Sequence, residues 1–483
     1  MNTFRVGRSL LLTLLIGSAL VTSCKKDADT VTPATTTTTS PTSATTTDVN
    51  NWILDNMKYA YYWTDKIPAN PDKSLEPSAF FQSLLYKYDR VLRPDGDRYS
   101  WISNNAETLQ ASLGGQSLST GAEFRLYRRA ANSNDVIAVV LYTERGSPAE
   151  KAGIKRGDII YAVNGQTITT TNYADLLFGT STSQTFGLAT IQNGALTNTN
   201  QTKSSSAITL QTNPVYLDSV YTVNARKIGY LVYNQFIKGA YNSSTDEYNQ
   251  ALDRIFTKFK NQGINELILD LRYNPGGGGD VATNLASYIA PGASPAKVFF
   301  TQQYNPTVTA DLQKQYGANF NVSNFTTKAA NLSNLNRLFV LTTDNTASAS
   351  ELVINGLKPY MNVTIVGDTT SGKNVGSTTI TDKTGKIKWG IQPIIVKAFN
   401  SAGQSDYTNG FAPNSVLFEQ LPYKALGDVS EPLLSQAIFL ISGSRPARLG
   451  VQSGLLLPSI GSSVERKSGG STMFFDNKLP VLP

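Results

Sequence analysis

Residues 338–341 form an apolar run that predicts a buried strand, and residues 363–366 predict another. Between them Leu352, Val353, Gly356 and Leu357 fall on one side of a helix. Strand, helix and strand make a βαβ unit with parallel strands and a right-handed crossover. Parallel strands finish on one sheet edge, where open α/β sheets hold their ligands. Ser348 follows the first strand and Lys373 the second, so the pattern brings these two residues to one edge.

The same reading extends along the chain. Trp52, Ile53, Met57, Ala60 and Tyr61 recur at helical spacing, as do Phe80, Phe81, Leu84 and Leu85. Residues 49–110 therefore read as a small helical domain, punctuated by Pro68, Pro71 and the Pro94-Asp-Gly96 turn. Residues 192–206, rich in Asn, Thr and Ser, read as a long loop. Residues 228–233 predict a strand. Ser244-Thr-Asp-Glu247 fits a capping box for a helix that carries Leu252, Ile255, Phe256 and Phe259 on one face. Residues 266–272 read as a buried strand, Tyr273-Asn-Pro-Gly-Gly-Gly-Gly-Asp280 turns off its end, and 280–289 read as the next helix. Residues 376–391 suggest a hairpin, 392–396 a strand and 430–441 a closing helix. The last stretch, 446–483, is a Gly- and Ser-rich tail to which the pattern assigns no role.

Composition narrows the chemistry. The 483 residues include no histidine, which excludes a Ser-His-Asp triad, a Cys-His pair and any His-bound metal. An activated hydroxyl here needs a lysine or carboxylate base, and burial can make a lysine neutral enough to serve. Ser348 also reads as a helix cap, because Ser348-Ala-Ser-Glu351 matches the capping box. The two roles are compatible, since a helix N-terminus offers N–H groups to an oxyanion. Gly367-Asp-Thr-Thr-Ser-Gly372-Lys373 has phosphate-loop spacing, but Asn374 stands where the magnesium-binding Ser or Thr belongs. No nucleotide, cofactor or metal is expected.

At the N-terminus Arg5 and Arg8 precede an apolar run at 10–21, too short for a comfortable membrane span. Leu20-Val-Thr-Ser-Cys24 resembles a bacterial lipobox, which implies removal of residues 1–23 and lipidation of Cys24, the sole cysteine. Residues 24–48, mostly Thr, Ser, Pro and Ala, read as a tether. A lipid anchor at the bacterial cell envelope follows, on the periplasmic face of an outer membrane or at the cell surface. The excess of seven basic residues is spread out, and no nucleic-acid motif accompanies it.

Gly146-Ser-Pro-Ala-Glu-Lys-Ala-Gly-Ile-Lys-Arg-Gly-Asp-Ile-Ile-Tyr-Ala-Val-Asn-Gly165 resembles the PDZ signature, within a domain at 111–214. The resemblance puts Gly121, Ala122, Glu123 and Phe124 at a carboxylate-binding loop and residues 172–178 at the groove helix. Ile228-Gly-Tyr, Leu269-Asp-Leu-Arg-Tyr-Asn-Pro-Gly-Gly277, Ser348-Ala-Ser-Glu351 and Gly372-Lys373, in that order, resemble the carboxyl-terminal processing (tail-specific) proteases. These are Ser-Lys peptidases with an embedded PDZ domain.

The resemblance implies a multidomain α/β protein. A crotonase/Clp-protease-like core at 215–445 would carry the inserted PDZ domain and the helical N-terminal domain. It further implies Ser348 as nucleophile, Lys373 as general base, and the N–H groups of Gly276 and Ala349 as an oxyanion hole. An acyl-enzyme and recognition of substrate C-termini by the PDZ domain follow. Two family positions differ: Ser377 stands where many relatives have a lysine-orienting Gln, and Pro359 where some have an Asp. Ser377 is the residue at hand for orienting Lys373. Ser350 is the fallback nucleophile, with Thr346 also near. The contrasting reading is a peptide- or ligand-binding lipoprotein on the same fold with a decayed site.

Overall fold

The structure is a computed structural model and describes residues 44–179, 181–444, 454–467, 473–475 and 479. Cys24, the leader and the tether up to residue 43 lie outside these residues. Among the described residues no helix is long and apolar enough to cross a membrane.

Helix α1, Thr46–Ala60, begins inside the stretch read as tether because Thr45 caps it. Asp48 N donates to Thr45 Oγ1 (3.2 Å) and Thr45 N to the Asp48 carboxylate (2.9 Å). Ile53 and Met57 join Phe80, Phe81 and Leu84 of α2, Pro77–Leu84, in one cluster that also takes in Val375 and Ile394. Strand β1, Trp101–Ser103, then pairs with Gly390–Gln392. The N-terminal domain is thus packed directly onto the chain that follows Lys373.

The middle domain is an antiparallel sheet of β2 (Ala122–Arg128), β3 (Val136–Thr143), β4 (Ile159–Val163), β5 (Ser183–Gln192) and β6 (Ala195–Ser206). Helix α3, Tyr173–Phe178, sits between β4 and β5 in sequence and buries Leu177 against Phe124, Leu126 and Phe186. The loop expected at 192–206 is instead β6, paired along β5. Asn193 (φ 49°) and Gly194 (φ 77°) form the tight hairpin turn that Asn-Gly favours. The strand is mostly exposed, so it lacks the apolar alternation that marks a half-buried strand.

Two six-stranded sheets carry most of the core among the described residues. In the first, β7 (Val215–Val223) pairs antiparallel with β8 (Arg226–Tyr233). Past helix α4 (Glu247–Asn261), β8 continues in parallel to β9 (Glu266–Asp270). The turn off β9 holds the short strand β10, Gly277–Gly278, and opens α5, Gly279–Ile289. β11, Val298–Tyr304, belongs to the second sheet. The expected βαβ unit follows as β12 (Arg337–Thr342), α6 (Ala349–Leu357) and β13 (Asn362–Gly367), with β12 parallel to both β9 and β13. Beyond Lys373 come β14 (Val375–Ser377), β15 (Gly390–Gln392), β16 (Ile394–Asn400) and helix α7 (Pro432–Ser442).

Alternation in β8 decides the layering. Ile228, Tyr230 and Val232 face Leu433, Leu434 and Ile438 of α7, while Leu231 and Tyr233 face α4, α5, α6 and the second sheet.

Other expectations shift in detail. Ser244 does not cap α4. The Glu247 carboxylate instead accepts from Ala240 N and Thr245 Oγ1, both at 2.8 Å, and the helix starts at Glu247. The strand expected at 392–396 breaks at Pro393, which has no N–H to offer a ladder. β15 pairs with β1, and β16 with β11 and β14. The expected hairpin survives only as Ile380–Thr381 against β15. The tail also has places in the fold: β18, Ser459–Ser462, adds to β2 of the middle domain, followed by the turn α8, Ser463–Arg466. Its residues Met473–Phe474, strand β19, lie between β10 and β14. Strand β17, Ser415–Val416, closes the first sheet beside β13.

Candidate active site

The turn between β12 and α6 sets Ser348 in an unusual backbone conformation, φ 65° and ψ −112°. A non-glycine residue pays strain for positive φ and holds it only where its surroundings enforce it. A sharp strand-to-helix turn of this kind lifts a hydroxyl out of the helical hydrogen-bond pattern. The Ser348 side chain is buried; it faces the Glu351 N–H in the expected capping box, but its Oγ is too far or too poorly aligned to make a hydrogen bond. The neighbouring hydroxyls are committed: Thr346 Oγ1 donates to Leu271 O (2.8 Å) and Ser350 Oγ to Asn274 O (3.1 Å).

Glu351 joins this turn to the lysine. Its Oε2 accepts from Ser348 N and Lys373 N, each at 2.8 Å, and its Oε1 from Gly372 N (2.7 Å) and Thr370 Oγ1 (2.6 Å). One buried carboxylate oxygen therefore bridges the backbones of Ser348 and Lys373. Burial raises the Glu351 carboxyl, and these four donors work against that rise. The amides that a phosphate would need in a GxxxxGK loop are those that Glu351 already occupies, and the chain beyond them enters β14 rather than a helix. Gly372, at φ 91°, approaches Thr408 so closely that a Cβ would lie 2.4 Å from its carbonyl oxygen.

Lys373 is 1% exposed. Burial lowers its pKa to about 7, although the charges of Asp97 and Glu351 pull it upward. Asp97 and Tyr99 come from the N-terminal domain, and sequence reading did not find them. The ammonium nitrogen lies 4.7 Å from the centre of the Tyr99 ring, whose hydroxyl bonds Ser371. Asp97 is fixed by Tyr61 Oη (2.9 Å) and by the N–H groups of Tyr99 and Ser100. Between them, Arg98 donates to Gly372 O and Thr408 O.

The glycine turn reaches the same region: Ala347 N donates to Asn274 O (3.1 Å). Gly276 N donates to Asn274 Oδ1 (2.9 Å) rather than standing open, and Gly276 has φ 113°. The base of the turn rests on buried charge. Arg272, 0% exposed, pairs with Asp270 (2.8 Å), Glu431 (2.8 Å) and Glu419 (3.1 Å). Arg156 of the middle domain meets Glu419 (2.7 Å) and Tyr273 Oη (2.6 Å). Burial alone would raise Glu419; the Arg156 and Arg272 guanidiniums outweigh it and hold the carboxyl at about 2. This network escaped sequence reading because its members are scattered from 156 to 431.

The remaining expected residues lie as follows. Ser377 Oγ donates to Met473 O (3.2 Å) and accepts from Gln392 Nε2 (3.0 Å). Of the segment Gly121 to Phe124, only Gly121, at φ 87°, precedes the strand; Ala122, Glu123 and Phe124 belong to β2. Phe124 N donates to Ser463 Oγ (2.8 Å).

Residues 227–417 match the model of peptidase family S41, residues 48–101 that of the peptidase S41 N-terminal domain, and residues 139–185 a PDZ domain. Over 303 residues the chain is 26% identical to a protein of Staphylococcus aureus described as a CtpA-like serine protease, covering 62% of this chain and 53% of that one. The chain thus spans about half the length of that relative. It is 27% identical over 327 residues to a carboxyl-terminal-processing protease of Picosynechococcus, covering 67% of this chain and 68% of the relative. A solved structure of Bacteroides fragilis described as an S41 protease superposes with TM-score 0.66 at 29% identity, over 81% of this chain and 97% of that one.

Proposed function

The chain belongs to peptidase family S41, with its N-terminal and PDZ domains, and on that premise we propose that it is a serine endopeptidase working through Ser348 and Lys373. The observation that carries the reading is the contrast among hydroxyls. Ser348 Oγ is unpartnered on a strained turn tied through Glu351 to a lysine lowered to about 7, while Thr346 and Ser350 are bound to carbonyls.

Neutral Lys373 takes the Ser348 proton as Oγ attacks a peptide carbonyl carbon. Negative charge on the carbonyl oxygen is met by Ala349 N–H at the start of α6. Gly276 N–H joins as the second donor once it turns from Asn274 Oδ1. Lys373 then passes its proton to the leaving amine, and the C–N bond breaks to give a Ser348 ester. Water, deprotonated by neutral Lys373, hydrolyses the ester and restores both groups. Both side chains are buried, so substrate entry requires an opening movement. Tyr99 and Asp97 orient Lys373 in place of the Gln that Ser377 replaces.

Substrates are envelope or secreted proteins recognised near their C-termini by the PDZ domain, and a lipid on Cys24 tethers the enzyme to the envelope. The carboxyl-terminal-processing name of the Picosynechococcus relative supports the first part and the lipobox the second.

A fluorophosphonate probe tests the reading. Labelling of the wild type and Ser350→Ala, lost in Ser348→Ala, supports it. Labelling retained in Ser348→Ala overturns the nucleophile, and no labelling of any form supports a binding protein.

A further inference from the structure

A PDZ groove is an open strand edge beside a helix, and a peptide joins it as an extra strand. Here the edge is β2 and the helix α3, and the edge is paired. β18 runs antiparallel to β2, with Ser459 opposite Tyr127 and Ser462 opposite Arg125. It therefore advances toward Phe124 and Gly121, the direction in which the last residues of a bound peptide would point. Bonding continues past both ends of the strand. Arg128 N donates to Pro458 O (2.9 Å) and Phe124 N to Ser463 Oγ (2.8 Å).

Side chains enter the groove as well. Ile460 packs on the cluster that contains Phe124 of β2 and Leu177 of α3. Arg466 donates to Tyr173 Oη and lies over the rings of Tyr173 and Phe178, both on α3. Where a peptide carboxylate would meet the loop, the chain turns through α8, and Lys467 Nζ lies 2.6 Å from Glu123 Oε1.

The structure assigns residues 459–467 as a built-in ligand of this groove, so that an incoming peptide binds only by displacing them. The inference rests on the PDZ reading given above and deepens it: substrate recognition is a competition with the chain's own segment. The same stretch continues into the catalytic core. Phe475 N donates to Ser377 O (3.1 Å) and Thr378 Oγ1 to Phe475 O (3.2 Å). The Phe475 ring sits against Gly279 and Gly376, where a Cβ would come within 2.3 Å and 2.4 Å of it. The displaced segment ends at Lys467, only eight positions before Phe475, whose ring is wedged between the glycine turn and the lysine strand.

A tethered segment has an effective concentration of order millimolar, so a free peptide of about 0.1 mM intrinsic affinity loses roughly tenfold to it. The test uses a fluorescein-labelled, amidated peptide of residues 454–467 and reads anisotropy with the full chain. A variant with residues 459–467 replaced by a Gly-Ser linker of equal length is expected to bind it at least tenfold more tightly than the wild type. Lys467→Glu, which sets like charge against Glu123, is expected to shift in the same direction. Amide exchange on the wild type gives a second readout that needs no variant: Phe124 and Arg128 exchange slowly if the groove is filled.

Equal affinity in wild type and variants overturns the proposal, as does failure of both variants to bind. Fast exchange at Phe124 and Arg128 overturns it too. None of these readouts depends on Ser348 chemistry, so an inactive enzyme would leave them interpretable.

Discussion

The pH response of Ser348 acylation tests the base directly. A fall in the Lys373 pKa from 10.5 to about 7 corresponds to about 5 kcal/mol in favour of the neutral amine. An ordinary lysine is neutral in only about 0.03% of molecules at pH 7, whereas one at about 7 is neutral in about half. The rate constant for fluorophosphonate labelling should therefore rise about tenfold between pH 6 and 8 and then level off. A half-maximal rate at pH 9 or above, or a flat profile from pH 6 to 9, would refute the reasoning. Stability gives an independent check through linkage. Below about pH 7 the folded and unfolded forms both hold the proton, and the penalty for burying the charge is complete. Between 7 and 10.5 only the unfolded form holds it, so the penalty fades as pH rises, and above 10.5 it is gone. Lys373→Met should thus unfold at higher denaturant than wild type at pH 7, by up to about 5 kcal/mol, with the difference closing toward pH 10.5. A gap that does not shrink with pH would mean that packing, not charge, explains it.

Other substitutions probe the surroundings. Tyr99→Ala admits water to Lys373, so the midpoint of the labelling profile should move up by about one pH unit or more, while Tyr99→Phe should keep it near the wild-type position; an unmoved midpoint in both would remove Tyr99 from the site. Glu351→Gln loses the anion that joins the two turns, and labelling should fall by about 100-fold, with circular dichroism checking that the fold persists. Arg272→Met leaves Asp270 and Glu431 buried without their cation and should cost about 3–5 kcal/mol in urea unfolding; a loss under about 1 kcal/mol would show that the carboxylates find other partners.

The parts legible in the sequence are those whose burial leaves a local signature. β9, β12 and β13 are parallel strands covered by core on both faces, so they read as apolar runs, and the glycine turn and Ser348 could be set at their ends. Strand β6 left no such signature because water covers most of it. β18 and β19 are short and pair with partners far away in sequence, so nothing within the tail betrays them. Asp97 and Tyr99 sit in a segment punctuated as a turn, more than 270 residues before the lysine they face. Glu351 was visible, but only as a cap; its bond to Lys373 N belongs to the tertiary fold.

Ser348 adopts dihedral angles that a glycine would tolerate with less strain. Ser348→Gly should therefore melt at or above the wild-type temperature while abolishing acylation. Thermostability screens run without a functional filter would drift toward losing this side chain first. An engineer hardening the scaffold should hold the position fixed and look for gains elsewhere.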